Sequence, residues 1–171
     1  MQTIVRRSVI WCVVMLLCVT SCGSYTFKNT QLTPPDQAYD FTLTDQNNQA
    51  VTLSSLRGNV VLLFFGYTNC PDICPATLSD MQLLYNRLGN DSANVRMVFV
   101  TVDPQRDTSA KLKRFVDRFD ARIIALTGDT TALNATYAAY GAGATRRELP
   151  NSALKYAMDH TATMTVVDKH G

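Results

Sequence analysis

The sequence predicts an α/β layer with parallel central strands. Three features carry this expectation. From residue 60 onward, short strand-like apolar runs alternate with stretches of helical periodicity, which is the pattern of successive β-α-β units. One run, Val60-Val61-Leu62-Leu63-Phe64-Phe65, is apolar without interruption, as suits a central strand covered on both faces. The 171 residues, 46% of them hydrophobic, supply one ordinary domain with a real core and leave little room for a second.

In chain order, Phe41 and Leu43 alternate with threonines, Asp45-Gln46-Asn47-Asn48 is a turn cluster, and Val51 to Leu53 resumes the pattern. This predicts an N-terminal hairpin. The Val60–Phe65 strand ends at Gly66-Tyr67-Thr68-Asn69. Leu78, Met81, Leu84, Tyr85 and Leu88 then follow at helical spacing, with Gly89 as the stop. Val95 to Val102 is the next strand. A helix with Leu112, Phe115, Val116 and Phe119 on one face comes after it, and Asp107 is expected to cap its start. Ile123 to Leu126 is a third strand, and Leu133, Tyr137 and Tyr140 mark a helix closed by Gly141. A loop carrying Gly, Arg and Pro is expected from Gly141 to about Tyr156. Met164 to Val167 is a further strand, followed by a turn at Asp168-Lys169-His170-Gly171. Gly141 and Gly143 neither follow a strand nor open a helix, so they are not a dinucleotide fingerprint.

The first residues are set apart from the fold. Arg6 and Arg7 precede Val9 to Val19, an unbroken apolar run of eleven residues. A membrane span needs about 20, so the run has the length of a signal-peptide core. It ends in Val19-Thr20-Ser21-Cys22, which resembles the bacterial lipobox, in which cleavage precedes a cysteine that carries lipid. Residues 1–21 are therefore expected to be a lipoprotein signal peptide and Cys22 the lipid attachment site. The alternatives are an uncleaved short anchor, or cleavage with Cys22 a bystander. Residues 22–37, polar and containing Pro34-Pro35, are expected to tether the 38–171 domain to the membrane. The domain would face the outside of the cytoplasmic membrane, in the periplasm or at the cell surface.

Charge excludes one large class of partner. The formal net charge is +2 with both signs dispersed, whereas nucleic-acid binding requires a basic stripe. Arg6 and Arg7 are two of the 16 basic residues, so their removal leaves 14 against 14 acidic ones.

The cysteines sort in the same way. Cys12 and Cys18 leave with the signal, Cys22 takes lipid, and only Cys70 and Cys74 remain. A pair this close constrains the unfolded chain little, so it is a chemical site rather than a framework. A strand delivers the pair to a helix start, where ligands bind in open α/β sheets. The helix N-terminus is expected to lower the thiol pKa values. Three residues separate the cysteines, one more than the thioredoxin-type spacing. The loop can close a disulfide or hold a metal between the sulfurs. Soft thiolates select Cu(I), zinc or iron–sulfur clusters, and two thiolates with one imidazole form a copper-like set. Zinc would want a fourth ligand, and a [4Fe–4S] cluster more cysteines. An inert disulfide is the structural alternative.

Gly66-Tyr67-Thr68-Asn69-Cys70-Pro71-Asp72-Ile73-Cys74-Pro75 resembles the signature of the Sco/SenC family of copper proteins. Phe41-x-Leu43-x-Asp45 with Leu53-x-x-Leu56-Arg57-Gly58 resembles its opening hairpin, Val102-Asp103-Pro104-Gln105-Arg106-Asp107 its second motif, and Asp159-His160-Thr161 its third. The likeness runs from about Tyr39 to Gly171. It implies a thioredoxin-like fold with a central mixed sheet flanked by helices, and binding of one copper ion by Cys70, Cys74 and His160. It also implies help in assembling the copper centre of cytochrome c oxidase, with that enzyme's copper-site subunit as a partner. The family's closing strand and helix are expected to be missing after Gly171. Asp72 and Asp103 are candidate supporting groups near the ligands; the alternative for each is a helix cap or an ordinary turn. His170 is expected to be solvated, and Met158 and Met164 to be core fillers. The competing function is a thiol–disulfide oxidoreductase acting on cysteines of a partner protein. A thiol peroxidase fits less well.

Overall fold

The computed structural model describes residues 28–32 and 36–171. The expected signal peptide, Cys22 and most of the expected tether lie outside the described residues. Gln37–Gly171 forms a compact unit. The described residues before it carry no helix or strand.

The unit contains β1 (Thr42–Asp45), β2 (Ala50–Thr52), β3 (Val60–Gly66), α1 (Ile73–Leu88), β4 (Val95–Thr101), α2 (Ser109–Val116), β5 (Ile124–Thr127), α3 (Thr130–Ala139), β6 (Ala144–Glu148), β7 (Tyr156–His160) and β8 (Met164–Val167). Six strands form a sheet in the order β2-β1-β5-β4-β3-β8. Its centre is parallel, β3 to β4 and β4 to β5, while β1 and β8 join antiparallel. The sheet is therefore mixed. The hairpin is present, with Leu43 opposite Val51. No helix among the described residues is long and apolar enough to cross a membrane.

The core explains the central strands. Residues 61–66 of β3 are all buried, and Met97 to Val100 of β4 are fully buried beside them. A strand enclosed on both faces has no use for polar alternation, so the sequence there is uniformly apolar. On α1, Cys74, Leu78 and Tyr85 turn inward, and Gly89 at φ +53° ends the helix as expected. Leu112, Phe115 and Val116 form the buried face of α2.

Two expectations are corrected. The stretch from Gly141 to Tyr156 is not all loop. It holds β6, which pairs with β7 as a separate two-stranded ribbon, Ala144 opposite His160 and Glu148 opposite Tyr156. Thr145-Arg146-Arg147-Glu148 is exposed, so β6 has no apolar alternation to betray it; backbone pairing holds it. The second correction concerns Asp107. Thr108 caps α2, accepting from the Lys111 amide at 3.3 Å, and the fully buried Asp107 carboxylate is used elsewhere.

Candidate metal centre

The buried strand β3 ends at Gly66, and the chain turns through residues 67–72 into α1. The turn is pinned from the next β-α connection. Asp107 accepts hydrogen bonds from the Thr68 amide at 3.0 Å, the Thr68 hydroxyl, and the Thr101 hydroxyl at 2.7 Å. Lys111 donates to the Asn69 side chain and lies 3.7 Å from the Asp107 carboxylate. The Cys70 amide closes the turn on the Tyr67 carbonyl at 3.2 Å. Cys70 thus starts from a fixed backbone.

Cys74 lies in the first turn of α1 and is fully buried, whereas Cys70 is half-buried. Both are free thiols, and the Cys74 amide points at Cys70 Sγ from 3.5 Å. Cys74 Sγ rests over Gly66, where an added Cβ would lie only 2.7 Å from the sulfur. Glycine at the strand end is what lets the sulfur sit so close.

His160 is the last residue of β7, shortly before β8 begins at Met164. Its Nε2 lies 3.6 Å from Cys74 Sγ, and its Nδ1 lies 3.0 Å from the Thr161 carbonyl. A carbonyl only accepts, so the proton belongs on Nδ1 and the Nε2 lone pair faces the sulfur. Tyr67 and Phe64 meet the imidazole edge-on, with ring centroids at 5.7 and 6.3 Å. The two Sγ atoms and one imidazole nitrogen all lie within 4.8 Å of one another.

Burial raises the Cys74 pKa, and the neighbouring Cys70 and Asp107 add to the effect. This overturns, for Cys74, the expectation that the helix N-terminus lowers it: loss of hydration outweighs the helix end. Cys74 is protonated at neutral pH until something replaces the proton.

Asp72 stands at the N-cap position of α1 but is exposed, and its side chain makes no capping bond. Asp103 is buried, and its carboxylate accepts from the Tyr156 hydroxyl at 2.8 Å and from Arg106, not from any group of the Cys70, Cys74 and His160 side chains. His170 is exposed, as expected, while Met158 and Met164 pack partly buried against the core. Sequence reasoning missed Asp107, Gly66 and the Thr161 carbonyl. For Asp107 one signal existed: the following Thr108 can cap the helix itself, which frees the aspartate for another role.

The SCO1/SenC family profile matches residues 29–171. The SCO2-like protein of Rickettsia prowazekii is 34% identical over 131 residues, covering 77% of this chain and 64% of the relative, so the chain spans less than two thirds of that protein. The structure of Bradyrhizobium japonicum ScoI with copper bound is similar at a TM-score of 0.73 and 38% identity, over 77% of this chain and 83% of that one. BsSco, described as having a disulfide switch and as a member of the Sco family of cytochrome c oxidase assembly proteins, is similar at a TM-score of 0.52 and 30% identity, over 60% of this chain and 62% of that one. The fold is thioredoxin-like, of the Sco type, and the chain belongs to the SCO1/SenC family.

Proposed function

We propose that this chain binds one copper ion through Cys70, Cys74 and His160 and delivers it during assembly of the copper centre of cytochrome c oxidase. The observation that carries the proposal is the convergence of two sulfurs and one imidazole nitrogen within 4.8 Å, with the imidazole proton held on the far nitrogen. This donor set fits copper. Two soft sulfurs and one nitrogen suit Cu(I) or Cu(II). A structural zinc site wants four ligands, and among the described residues no further Cys, His, Asp or Glu joins the group. Relatives and neighbours support the copper assignment by their descriptions.

Copper is the cargo here, and the side chains must both hold it and let it go. Both thiols release protons on binding. Cys70 is the more accessible sulfur and His160 is likewise only partly buried, while Cys74 is sealed. Cys70 and the exposed Ile73 leave the site reachable by an acceptor protein, as ligand exchange requires. The acceptor we infer is the copper-site subunit of cytochrome c oxidase.

The same thiols support a second use. The Cys74 amide lies 3.5 Å from Cys70 Sγ, so Cys70 in the turn and Cys74 in the first turn of α1 adjoin. Cys70 is placed to attack a partner's disulfide and Cys74 to resolve the mixed disulfide. The described disulfide switch of BsSco favours keeping this reading.

We further infer that residues 1–21 are an export signal and that Cys22 carries lipid, which anchors the domain outside the cytoplasmic membrane. The support is the eleven-residue apolar run Val9 to Val19 followed by Thr20-Ser21-Cys22.

Titration of the reduced chain with Cu(I) and Cu(II) tests the main reading. One equivalent should bind, and His160→Ala should weaken retention while thiol exchange persists. No binding at equimolar copper, or equal binding without His160, would sink it. Mass spectrometry of the membrane-extracted protein should find a diacylglyceryl group on Cys22; a mature chain starting elsewhere would remove the anchor.

A further inference from the structure

The two cysteines and the histidine stand on separate pieces of structure. Cys70 and Cys74 follow β3 in the six-stranded sheet, whereas His160 ends β7, which pairs only with β6. Something outside the donor set must fix where β7 lies. In a strand, alternate residues share a face, so Tyr156, Met158 and His160 point to one side of β7, and Ala157 and Asp159 to the other. Asp159 pairs across the ribbon with Arg147 at 3.0 Å, on the outer face. The inner face carries Tyr156 at one end and His160 at the other, four residues or about 13 Å apart.

Tyr156 is held unusually firmly. It is 8% exposed. Its hydroxyl donates to the buried Asp103 carboxylate at 2.8 Å. Arg106 pairs with the same carboxylate through Nε, and its Nη1 donates to the carbonyls of Leu154 at 3.1 Å and Tyr156 at 3.0 Å. The Arg106 guanidinium carbon lies 3.5 Å from the Tyr156 ring centroid and that of Arg146 3.8 Å from it. Both distances are too short for an approach at the ring edge, and one face cannot hold both cations. The ring is therefore sandwiched between Arg106, from the β4–α2 connection, and Arg146, from β6.

We propose that Arg106 and Tyr156, braced by Asp103, form a clamp that sets the register and facing of β7 and so places His160 opposite the thiols. They are positioning residues for the third donor and touch neither sulfur nor imidazole. The proposal rests on His160 serving as a copper ligand. The two fixings of β7 differ in kind. At the His160 end, the imidazole and Thr161 make the contacts that copper uptake and release must disturb. At the Tyr156 end, the clamp touches none of the three donors, reaching the imidazole only through the Tyr67 ring, 5.9 Å from the Arg106 guanidinium carbon, so the ribbon stays attached while His160 exchanges. The clamp also accounts for the buried Asp103, which acts on the strand that bears the ligand and not on the ligand.

The test is a double-mutant cycle on the reduced full chain, read by competition for Cu(I) with a chromophoric chelator. Tyr156→Phe keeps the ring between the two cations but removes its hydroxyl bond. Arg106→Lys keeps the charge but cannot span a carboxylate and two carbonyls. Each should weaken copper retention about tenfold, the lower end for loss of a group that orients a ligand, and neither should weaken it further in a His160→Ala background. Equal losses with and without His160 would overturn the proposal, because the clamp would then be acting on general stability. A second readout needs no copper. In the copper-free chain, imidazole nitrogen NMR should show the single His160 environment of the unmodified protein replaced by several in either variant. Unchanged imidazole signals and unchanged retention would also overturn it. If the unmodified chain bound no copper, the copper reading would fall and the imidazole signals alone would decide the clamp.

Discussion

Burial sets the two thiols apart. Cys70 is partly buried, and Cys74 is sealed, with its pKa driven up by loss of hydration. Alkylation of the reduced native chain at pH 8 should therefore modify Cys70 first and leave Cys74 untouched until the chain unfolds, as read by peptide mass spectrometry. Labelling of Cys74 at an equal rate would contradict the packing. Gly66 is the residue that makes the seal possible. A methyl group there would lie 2.7 Å from Cys74 Sγ and 2.8 Å from the Phe99 ring, so Gly66→Ala must displace one of them. Overpacking of this kind costs about 1–3 kcal/mol, measurable as a lower urea midpoint. The thiol pair was legible as chemistry in the sequence, because no other cysteine remained once the signal and Cys22 were set aside, whereas His160 as the third donor rested on the family resemblance. Gly66 was legible only as the end of a strand, since nothing local reveals which side chain will later pass over it.

Among the elements, the residue 67–72 turn and the β6–β7 ribbon are held by opposite means. The turn depends on one buried carboxylate. Asp107→Ala would take the acceptor from the Thr68 amide and from the buried Thr101 hydroxyl, while the Thr68 hydroxyl keeps Asn69 as a partner, and each buried unsatisfied group costs about 1–3 kcal/mol. Asp107→Ala should thus destabilise the domain by about 2–6 kcal/mol, read as a lower urea midpoint. It should also broaden the amide NMR signals of residues 68–70. The ribbon depends on backbone pairing and on the Tyr156 clamp. Its β6 strand escaped sequence reasoning because Thr145 to Glu148 are all exposed, and a strand with no buried face leaves no period-2 signal. The adjacent Gly141 and Pro150 then made the whole stretch read as loop. The strands and helices of the main sheet were legible for the converse reason: their buried faces impose runs and spacings that no other arrangement needs.

For the whole molecule, the buried groups set the response to alkali. Burial raises the pKa values of Cys74, Tyr85 and Tyr137, and pushes Tyr140 up to about 12. In each case the folded pKa exceeds the unfolded one, so the folded state keeps protons that the unfolded chain surrenders. The stabilisation is complete below the unfolded values, about 8.5 for cysteine and about 10 for tyrosine, and is lost as pH climbs through the folded values. Where only the unfolded thiol is ionised, Cys74 alone contributes a slope of about −1.4 kcal/mol per pH unit. Urea midpoints of the reduced chain should hold between pH 7 and 8 and fall steeply between pH 9 and 10.5. Cys74→Ala should soften the decline at its start. A midpoint that rose with pH in that window would reverse the sign of the effect.

By itself the sequence determined an α/β sheet with an N-terminal hairpin, a thiol pair at the end of the central strand, and family membership carried by three motifs. These are properties of short segments, where burial on one or both faces and local capping dictate residue type. Tertiary structure alone decided which thiol is sealed, which nitrogen of His160 faces it, that Asp107 serves the turn before Cys70, and that Asp103 reaches the site through Tyr156. The hydrogen bonds and contacts behind these last three join residues 39 to 86 positions apart. No period or cap records such a pairing, because it exists only once the sheet has brought the connections after β3 and β4 to one edge and laid the ribbon across them.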